Sequence, residues 1–331
     1  MTDSSTLPQT AEIEAKSAWV PDLEAALGEV LVGQKSLSRS LILGLLTGGH
    51  ILLEGVPGLA KSLAVSCLAQ GVQGSFARLQ FTPDLLPSDL VGTEIYNAKE
   101  GTFSVRQGPI FANFVLADEI NRAPAKVQSA LLEAMQEANV SVGGQTFALP
   151  KPFLVLATQN PIEQEGTYPL PEAQLDRFAF KVVITYPSRD EELVILDRMS
   201  RTAPKMAVRE VVDLKTIADA RALVDQVNMD ARLAEYVVDL VGATRRPAES
   251  GLSDLVPYLQ YGASPRATIW LTLAARAHAF LSRRGYVTPS DIKAVGLEVL
   301  RHRILPTYEA EAEGIDSDQL VTRVLDTIPV P

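Results

Sequence analysis

The sequence predicts a parallel, doubly wound α/β domain followed by an all-helical one. Short apolar runs within His50–Glu54, Phe114–Ala117 and Phe153–Ala157 have the continuous hydrophobicity of strands buried on both faces, and helix-forming segments separate them. Each run ends in polar residues, at the carboxyl edge where an open α/β sheet faces its ligand crevice. From Asp190 onward the strand signals fade and helical periodicity remains.

Residues 1–18 are polar and acidic and are expected to form a flexible tail. Apolar spacing predicts helices over Asp22–Val30 and Gln34–Leu46, on either side of Leu31-Val32-Gly33. The first strand then runs into Gly55-Val56-Pro57-Gly58-Leu59-Ala60-Lys61-Ser62, and a helix follows from Lys61 to Gln70. Strand, Gly-containing loop and Lys-Ser at a helix start form a phosphate-binding loop, in which backbone N–H groups cradle anionic oxygens. Lys61 would reach the β- and γ-phosphates of a nucleotide, and the Ser62 hydroxyl would bind Mg²⁺. Ala60 stands where the general pattern has its second Gly. A methyl is tolerable there if the residue has helical dihedrals, and less so if φ is positive.

Two β-hairpins follow from alternating residues around turn sequences. The first pairs Thr93–Tyr96 with Thr102–Val105, and the second pairs Val140–Val142 with Thr146–Leu149 across Gly143-Gly144. Between them lie the strand Phe114–Ala117 and an amphipathic helix, Ala125–Ala138. The strand ends in Asp118-Glu119, beside the phosphate loop on a parallel sheet. Asp118 is placed to help hold Mg²⁺ and Glu119 to polarise an attacking water. After Phe153–Ala157, Asn160 in Thr158-Gln159-Asn160-Pro161 could reach that water or the γ-phosphate, although an Asn before Pro is also an ordinary turn residue.

Helices are predicted at Glu191–Met199, Leu214–Val227, Ala231–Thr244, Pro265–Arg284, Pro289–Arg301 and Ser317–Thr327. The resulting division is a tail at 1–18, an α/β nucleotide-binding domain at 19–188 and a helical lid at 189–331, with Arg201–Arg209 as a linker. Phosphoryl transfer develops negative charge that needs cationic donors. Arg177 in Leu175-Asp176-Arg177-Phe178 and Arg266 in Ser264-Pro265-Arg266 are candidates on that ground alone, since most Arg residues are solvated surface groups.

Composition narrows the classes. With 331 residues there is room for about two domains, and 47% hydrophobic with 21% charged residues is the make-up of an ordinary globular protein. A net charge of −10 argues against broad nucleic-acid binding. The N-terminus lacks the build of a signal peptide, and the most apolar stretch, Leu41–Leu53, is too short and interrupted to span a bilayer. A lone Cys67 excludes an intramolecular disulfide and fits a cytoplasmic location. His50, His278 and His302 show no metal-ligand spacing.

Taken together the motifs resemble the MoxR family of AAA+ ATPases. The distinctive stretches are the phosphate loop, Leu116-Ala117-Asp118-Glu119-Ile120-Asn121-Arg122-Ala123, the run from Ala157 through Asn160 to Arg177-Phe178, and His302-Arg303-Ile304 with Tyr308–Gly314. The resemblance covers nearly the whole chain from Leu31. It implies an AAA+ P-loop NTPase that uses ATP and Mg²⁺, with Val32 and Gly33 against the adenine. Asn160 would be the sensor-1 residue, Arg177 the arginine finger and Arg266 sensor 2, acting in cis or in trans. The segments Gly92–Gly108 and Val140–Leu149 would be the helix-2 and pre-sensor-1 inserts. Ala60 is common in such loops. Fingers come from a neighbouring subunit in this superfamily, so a ring, most often a hexamer, is implied. Family members act as chaperone-like factors on protein clients, with partners bearing a von Willebrand factor A domain. The alternatives are a metal-chelatase motor subunit, a DNA-stimulated motor and a non-hydrolysing nucleotide switch. Acidic composition and hairpins nearly free of Lys and Arg oppose the DNA motor, and intact Glu119, Asn160 and Arg177 oppose the switch.

Overall fold

The computed structural model describes residues 10–56, 58–160, 166–202 and 207–331. Pro57 of the expected phosphate loop, the first nine tail residues, residues 161–165 of the longest motif and 203–206 of the expected linker lie outside them.

In chain order the elements are α1 (Thr10–Lys16), α2 (Trp19–Val30), α3 (Lys35–Thr47), β1 (Ile51–Glu54), α4 (Lys61–Gly71), β2 (Phe76–Gln80), α5 (Pro87–Val91), β3 (Gly92–Asn97), β4 (Thr102–Gln107), β5 (Phe114–Asp118), α6 (Ala125–Glu137), β6 (Asn139–Val142), β7 (Gln145–Ala148) and β8 (Leu154–Gln159). There follow α7 (Glu172–Leu175), β9 (Phe180–Val183), α8 (Arg189–Met199), α9 (Leu214–Val224), α10 (Ala231–Arg245), β10 (Leu259–Tyr261), α11 (Pro265–Leu281), α12 (Pro289–Leu300), β11 (Leu305–Pro306), α13 (Tyr308–Ala312) and α14 (Ser317–Thr327).

The central sheet has the order β2-β5-β8-β1-β9, and β2, β5, β8 and β1 pair in parallel. The middle strands are the apolar ones: β5 is buried throughout, as is β8 up to Thr158. Burial on both faces excludes water from their ladders, which is why they read as continuous apolar runs. The two hairpins are antiparallel two-stranded sheets, β3–β4 and β6–β7, as expected.

The chain divides into two compact units, one of residues 21–177 with 182–217, the other of residues up to Val20 with 178–181 and 218–331. The first differs from the expected α/β domain in holding α8. The backbone N–H groups of Val211 and Val212 bond to the Gly71 carbonyl, and Arg198 on α8 donates to the Glu29 carbonyl on α2. These bonds tie the chain after β9 back to α2 and α4.

The second unit holds a helix where the sequence reading has a flexible tail. In α1, Ile13 is fully buried and the Glu14 carbonyl accepts a hydrogen bond from Arg283 at 3.1 Å. One apolar residue in a polar stretch leaves no periodicity to read. The motif His302-Arg303 has a structural task here. His302 Nε2 donates to the Phe178 carbonyl at 3.0 Å, and the buried Arg303 guanidinium donates to the carbonyls of Phe178, Ala179 and Val299. In the same unit Asp291, at the start of α12, accepts from His278, Arg284 and Thr288.

Candidate nucleotide site

The loop after β1 leads directly into α4, whose first-turn N–H groups have no intrahelical partner and so lie next to the loop. Lys61 opens α4. Its Nζ donates to the Gly55 carbonyl at 2.6 Å, bridging the two ends of the loop. Burial pulls the Lys61 pKa below the usual lysine value, opposed by the carboxylates of Asp118, Glu119 and Glu54. Ala60 does not have helical dihedrals: it sits at φ 55°, ψ 23°, the left-handed region. The methyl is therefore carried in the less forgiving of the two conformations considered for it, at a cost of about 1–2 kcal/mol. Gly58 also has positive φ, 88°.

A cavity of about 240 Å³ adjoins this loop, lined among others by Val32, Gly58, Leu59, Ala60, Pro187 and Ile195. Its mainly apolar lining suits a flat base. Gly33, beside Val32, has φ 76°, and a Cβ there would lie 2.6 Å from Glu191 Cδ. The left-handed backbone disfavours a side chain at that position, and one would also displace the Glu191 carboxylate.

The acids lie where β5 ends between β2 and β8. In register Gln80 stands opposite Asp118, and Ala117 opposite Ala157. From one side Thr158 donates to Asp118 Oδ1 at 2.6 Å and accepts the Glu119 N–H at 2.8 Å. From the other, Arg78 donates to Asp118 Oδ2 from Nη2 at 2.6 Å and from Nε at 3.1 Å. Ser62 Oγ is 3.4 Å from the same Oδ2. Glu119 itself is left-handed, at φ 57°. Its conformation is fixed by the Thr158 bond and by the Arg122 N–H on its carbonyl at 2.9 Å. Its carboxylate accepts from Gln80 Nε2 at 2.8 Å and faces Arg122 Nε at 3.2 Å.

Ser62 and Asp118 form an oxygen-only donor pair next to a phosphate loop, the ligand chemistry that Mg²⁺ requires. Asn160 is buried just past the end of β8. Arg177 is not drawn to these groups. Its Nη1 donates to the Leu132 carbonyl on α6 at 3.2 Å, and it lines a cavity of about 260 Å³ with Ser129, Glu133, Gln136, Glu137 and Gln174, none of them in the phosphate loop. Arg266 lies in the other unit, in the first turn of α11, where its N–H bonds to the Ser264 hydroxyl at 3.2 Å.

Arg78, Gln80, Thr158 and Arg122 belong to the site, although the sequence reading singled out none of them for a role. The signal for the first two was present as alternation in Phe76-Ala77-Arg78-Leu79-Gln80, which sends Arg78 and Gln80 to one face. Two polar residues in five obscured an edge strand.

Comparison with known proteins assigns the family of this fold. Residues 50–180 match the ATPase family associated with various cellular activities (AAA), and residues 255–324 match the AAA lid domain. The chain is 49% identical over 321 residues to Chaperone MoxR1 of Mycobacterium tuberculosis, covering 96% of this chain and 85% of that one. It is 34% identical over 328 residues to Protein MoxR of Paracoccus denitrificans, covering 94% and 96%. It belongs to the MoxR family of AAA+ ATPases. A crystal structure from Cytophaga hutchinsonii, assigned as an ATPase, shares 50% identity at a TM-score of 0.91 and covers 97% of this chain and 98% of its own. In this MoxR-family fold the helix-2 and pre-sensor-1 inserts are the hairpins β3–β4 and β6–β7, and the match to the lid domain, residues 255–324, falls within the second unit. No helix among the described residues is long and apolar enough to cross a membrane.

Proposed function

We propose that this MoxR-family protein hydrolyses ATP with Mg²⁺ and uses the energy, as a ring, to remodel or activate a protein client. The observation that carries the reading is the convergence of Lys61, Ser62, Asp118 and Glu119 at one sheet edge beside an apolar cavity. The base would lie among Val32, Leu59 and Ala60, with Gly33 alongside. The loop Gly55, Val56, Pro57 and Gly58 and the N-terminus of α4 would cradle the phosphates, and Lys61 would exchange the Gly55 carbonyl for phosphate oxygens. Ser62 and Asp118 would hold Mg²⁺, whose charge neutralises the phosphate oxygens during transfer.

Glu119 accepts the water proton while Asn160 orients the same water. Thr158 keeps Asp118 and Glu119 in fixed relation through the reaction. Arg177, whose own contacts are with α6, acts as the finger on the nucleotide of a neighbouring subunit, and Arg266 as sensor 2. This division of labour requires a closed ring, and a hexamer is the form proposed. The client is a protein engaged with a partner bearing a von Willebrand factor A domain, in the cytoplasm, where the lone buried Cys67 is stable as a thiol. The name of the Mycobacterium tuberculosis relative, Chaperone MoxR1, supports the chaperone-like assignment.

The test is phosphate release by the purified chain in MgATP, with sedimentation to follow assembly. Hydrolysis that vanishes in Lys61→Ala and depends on ring formation is expected. Monomers that hydrolyse ATP at the full rate would overturn the shared-site arrangement.

A further inference from the structure

Around Asp118 lies a cation that the nucleotide chemistry does not require. Arg78 donates twice to Asp118 Oδ2, the oxygen that also faces Ser62 Oγ. Thr158 occupies Oδ1, so Oδ2 is the oxygen available to a metal, and a guanidinium covers it. The same Arg78 Nη2 donates to Gln80 Oε1 at 3.2 Å, and Gln80 Nε2 donates to Glu119 Oε2 at 2.8 Å. A continuous run of hydrogen bonds thus joins the metal position to the carboxylate that would take the water proton.

The Arg78 side chain is 52% exposed, whereas Asp118 is 12% exposed. An ion pair with one partner in water is easily exchanged. A divalent ion arriving at Oδ2 would repel a guanidinium 2.6 Å from the same atom. Arg78 therefore has both a reason to leave and solvent to enter.

We propose that Arg78 is a metal-displaced latch on the hydrolytic base. It covers Asp118 Oδ2 until Mg²⁺ arrives with the nucleotide. Its departure withdraws the donor that holds the Gln80 amide, and Gln80 then loosens its grip on Glu119. Arg122 keeps the second tie to Glu119, so the latch governs one of two restraints. Arg78 is a positioning residue, acting on the base only through Gln80. The inference rests on the Mg²⁺ assignment to Ser62 and Asp118 made above.

The experiment titrates Mg²⁺ against the full chain with a fluorescent ADP analogue and reads the half-saturating Mg²⁺ concentration, alongside turnover. Arg78→Ala should lower that concentration about fivefold, the effect of removing one weak competing ion pair. Arg78→Gln, which keeps a polar side chain without the charge, should do the same and serves if the alanine variant folds poorly. Gln80→Leu, which removes one acceptor of the Arg78 guanidinium but leaves Asp118 in place, should lower the half-saturation by less than the Arg78 variants do while altering turnover. An unchanged or raised half-saturation in both Arg78 variants, with Asp118→Asn abolishing metal dependence, would overturn the latch. If Asp118→Asn titrates like the wild type, the metal assignment fails, whatever Arg78 does.

Discussion

Thr158 on β8 donates its hydroxyl hydrogen to Asp118 Oδ1 on β5 across 2.6 Å, and the Thr158 hydroxyl oxygen accepts the Glu119 amide N–H at 2.8 Å. One buried hydroxyl thus orients the Asp118 carboxylate, the proposed metal ligand, and the backbone of Glu119, the proposed base. Thr158→Val keeps the shape and leaves both groups without their partner, at about 1–3 kcal/mol of stability. Urea denaturation should show the lower midpoint, and phosphate release should fall. Thr158→Ser, which restores the hydroxyl, should recover both.

Glu119→Gln tests the base directly. The amide cannot accept the water proton, yet Lys61, Ser62 and Asp118 keep their contacts. Nucleotide binding should persist while turnover drops by about 10²–10⁴, the usual contribution of a positioned general base. Binding is read by fluorescence and turnover by phosphate release. Hydrolysis at the wild-type rate would move the role to another residue.

The parts of this site that were legible in the sequence are those where a single chain segment carries the whole pattern. Gly55 to Ser62 needs no partner to be read, and Asp118-Glu119 follows an apolar run buried on both faces. The edge strand β2 was illegible because Arg78 and Gln80 face the site, so its hydrophobic content is low. Thr158 gains its role only through the pairing of β8 with β5, which no local window contains, whereas Arg122 meets Glu119 three residues away once Glu119 turns left-handed. In α1 the helix depends on burying Ile13, a tertiary event. The grouping of α8 with the first compact unit is also invisible locally: Arg198 and the 211–212 backbone attach to α2 and α4, far upstream. Phe178–Lys181 belongs to the helical unit because Arg303 and His302 hold its carbonyls.

Ala60 in the left-handed region predicts a gain on substitution. Ala60→Gly removes the Cβ clash of about 1–2 kcal/mol, offset by the greater entropy of Gly in the unfolded chain, roughly 0.5–1 kcal/mol. The net expectation is stabilisation of up to about 1 kcal/mol, read as a higher urea midpoint. A lower midpoint would contradict the positive φ at this residue.

Arg177 contacts α6 and none of the residues of the loop after β1, so the finger role proposed for it should be transferable between subunits. Arg177→Ala alone should be inactive, as should Lys61→Ala alone. Mixed rings of the two should regain part of the turnover, because some interfaces then combine an intact loop with an intact finger. Mixed rings that form, as shown by sedimentation, and stay inactive would exclude a finger acting in trans.

His302 gives the helical unit a pH dependence of definite sign. Burial pushes its pKa well below the ordinary value, the nearby Arg303 charge pushes it further, and the bond to the Phe178 carbonyl opposes both. His302 Nδ1 has no partner among the described residues, so the folded protein has no place for a second ring proton. The unfolded chain takes that proton near pH 6.5. Below this pH the unfolded state binds a proton that the folded state does not, and stability must fall as pH decreases. Above it, the contribution is fully present. Urea midpoints measured from about pH 7.5 down to about pH 5.5, above the range where carboxylates titrate, should decline in the wild type. The decline should be shallower in His302→Gln, which keeps a donor for the Phe178 carbonyl but cannot titrate. Equal slopes in the two proteins would mean that His302 takes up its proton as readily in the fold as in the unfolded chain.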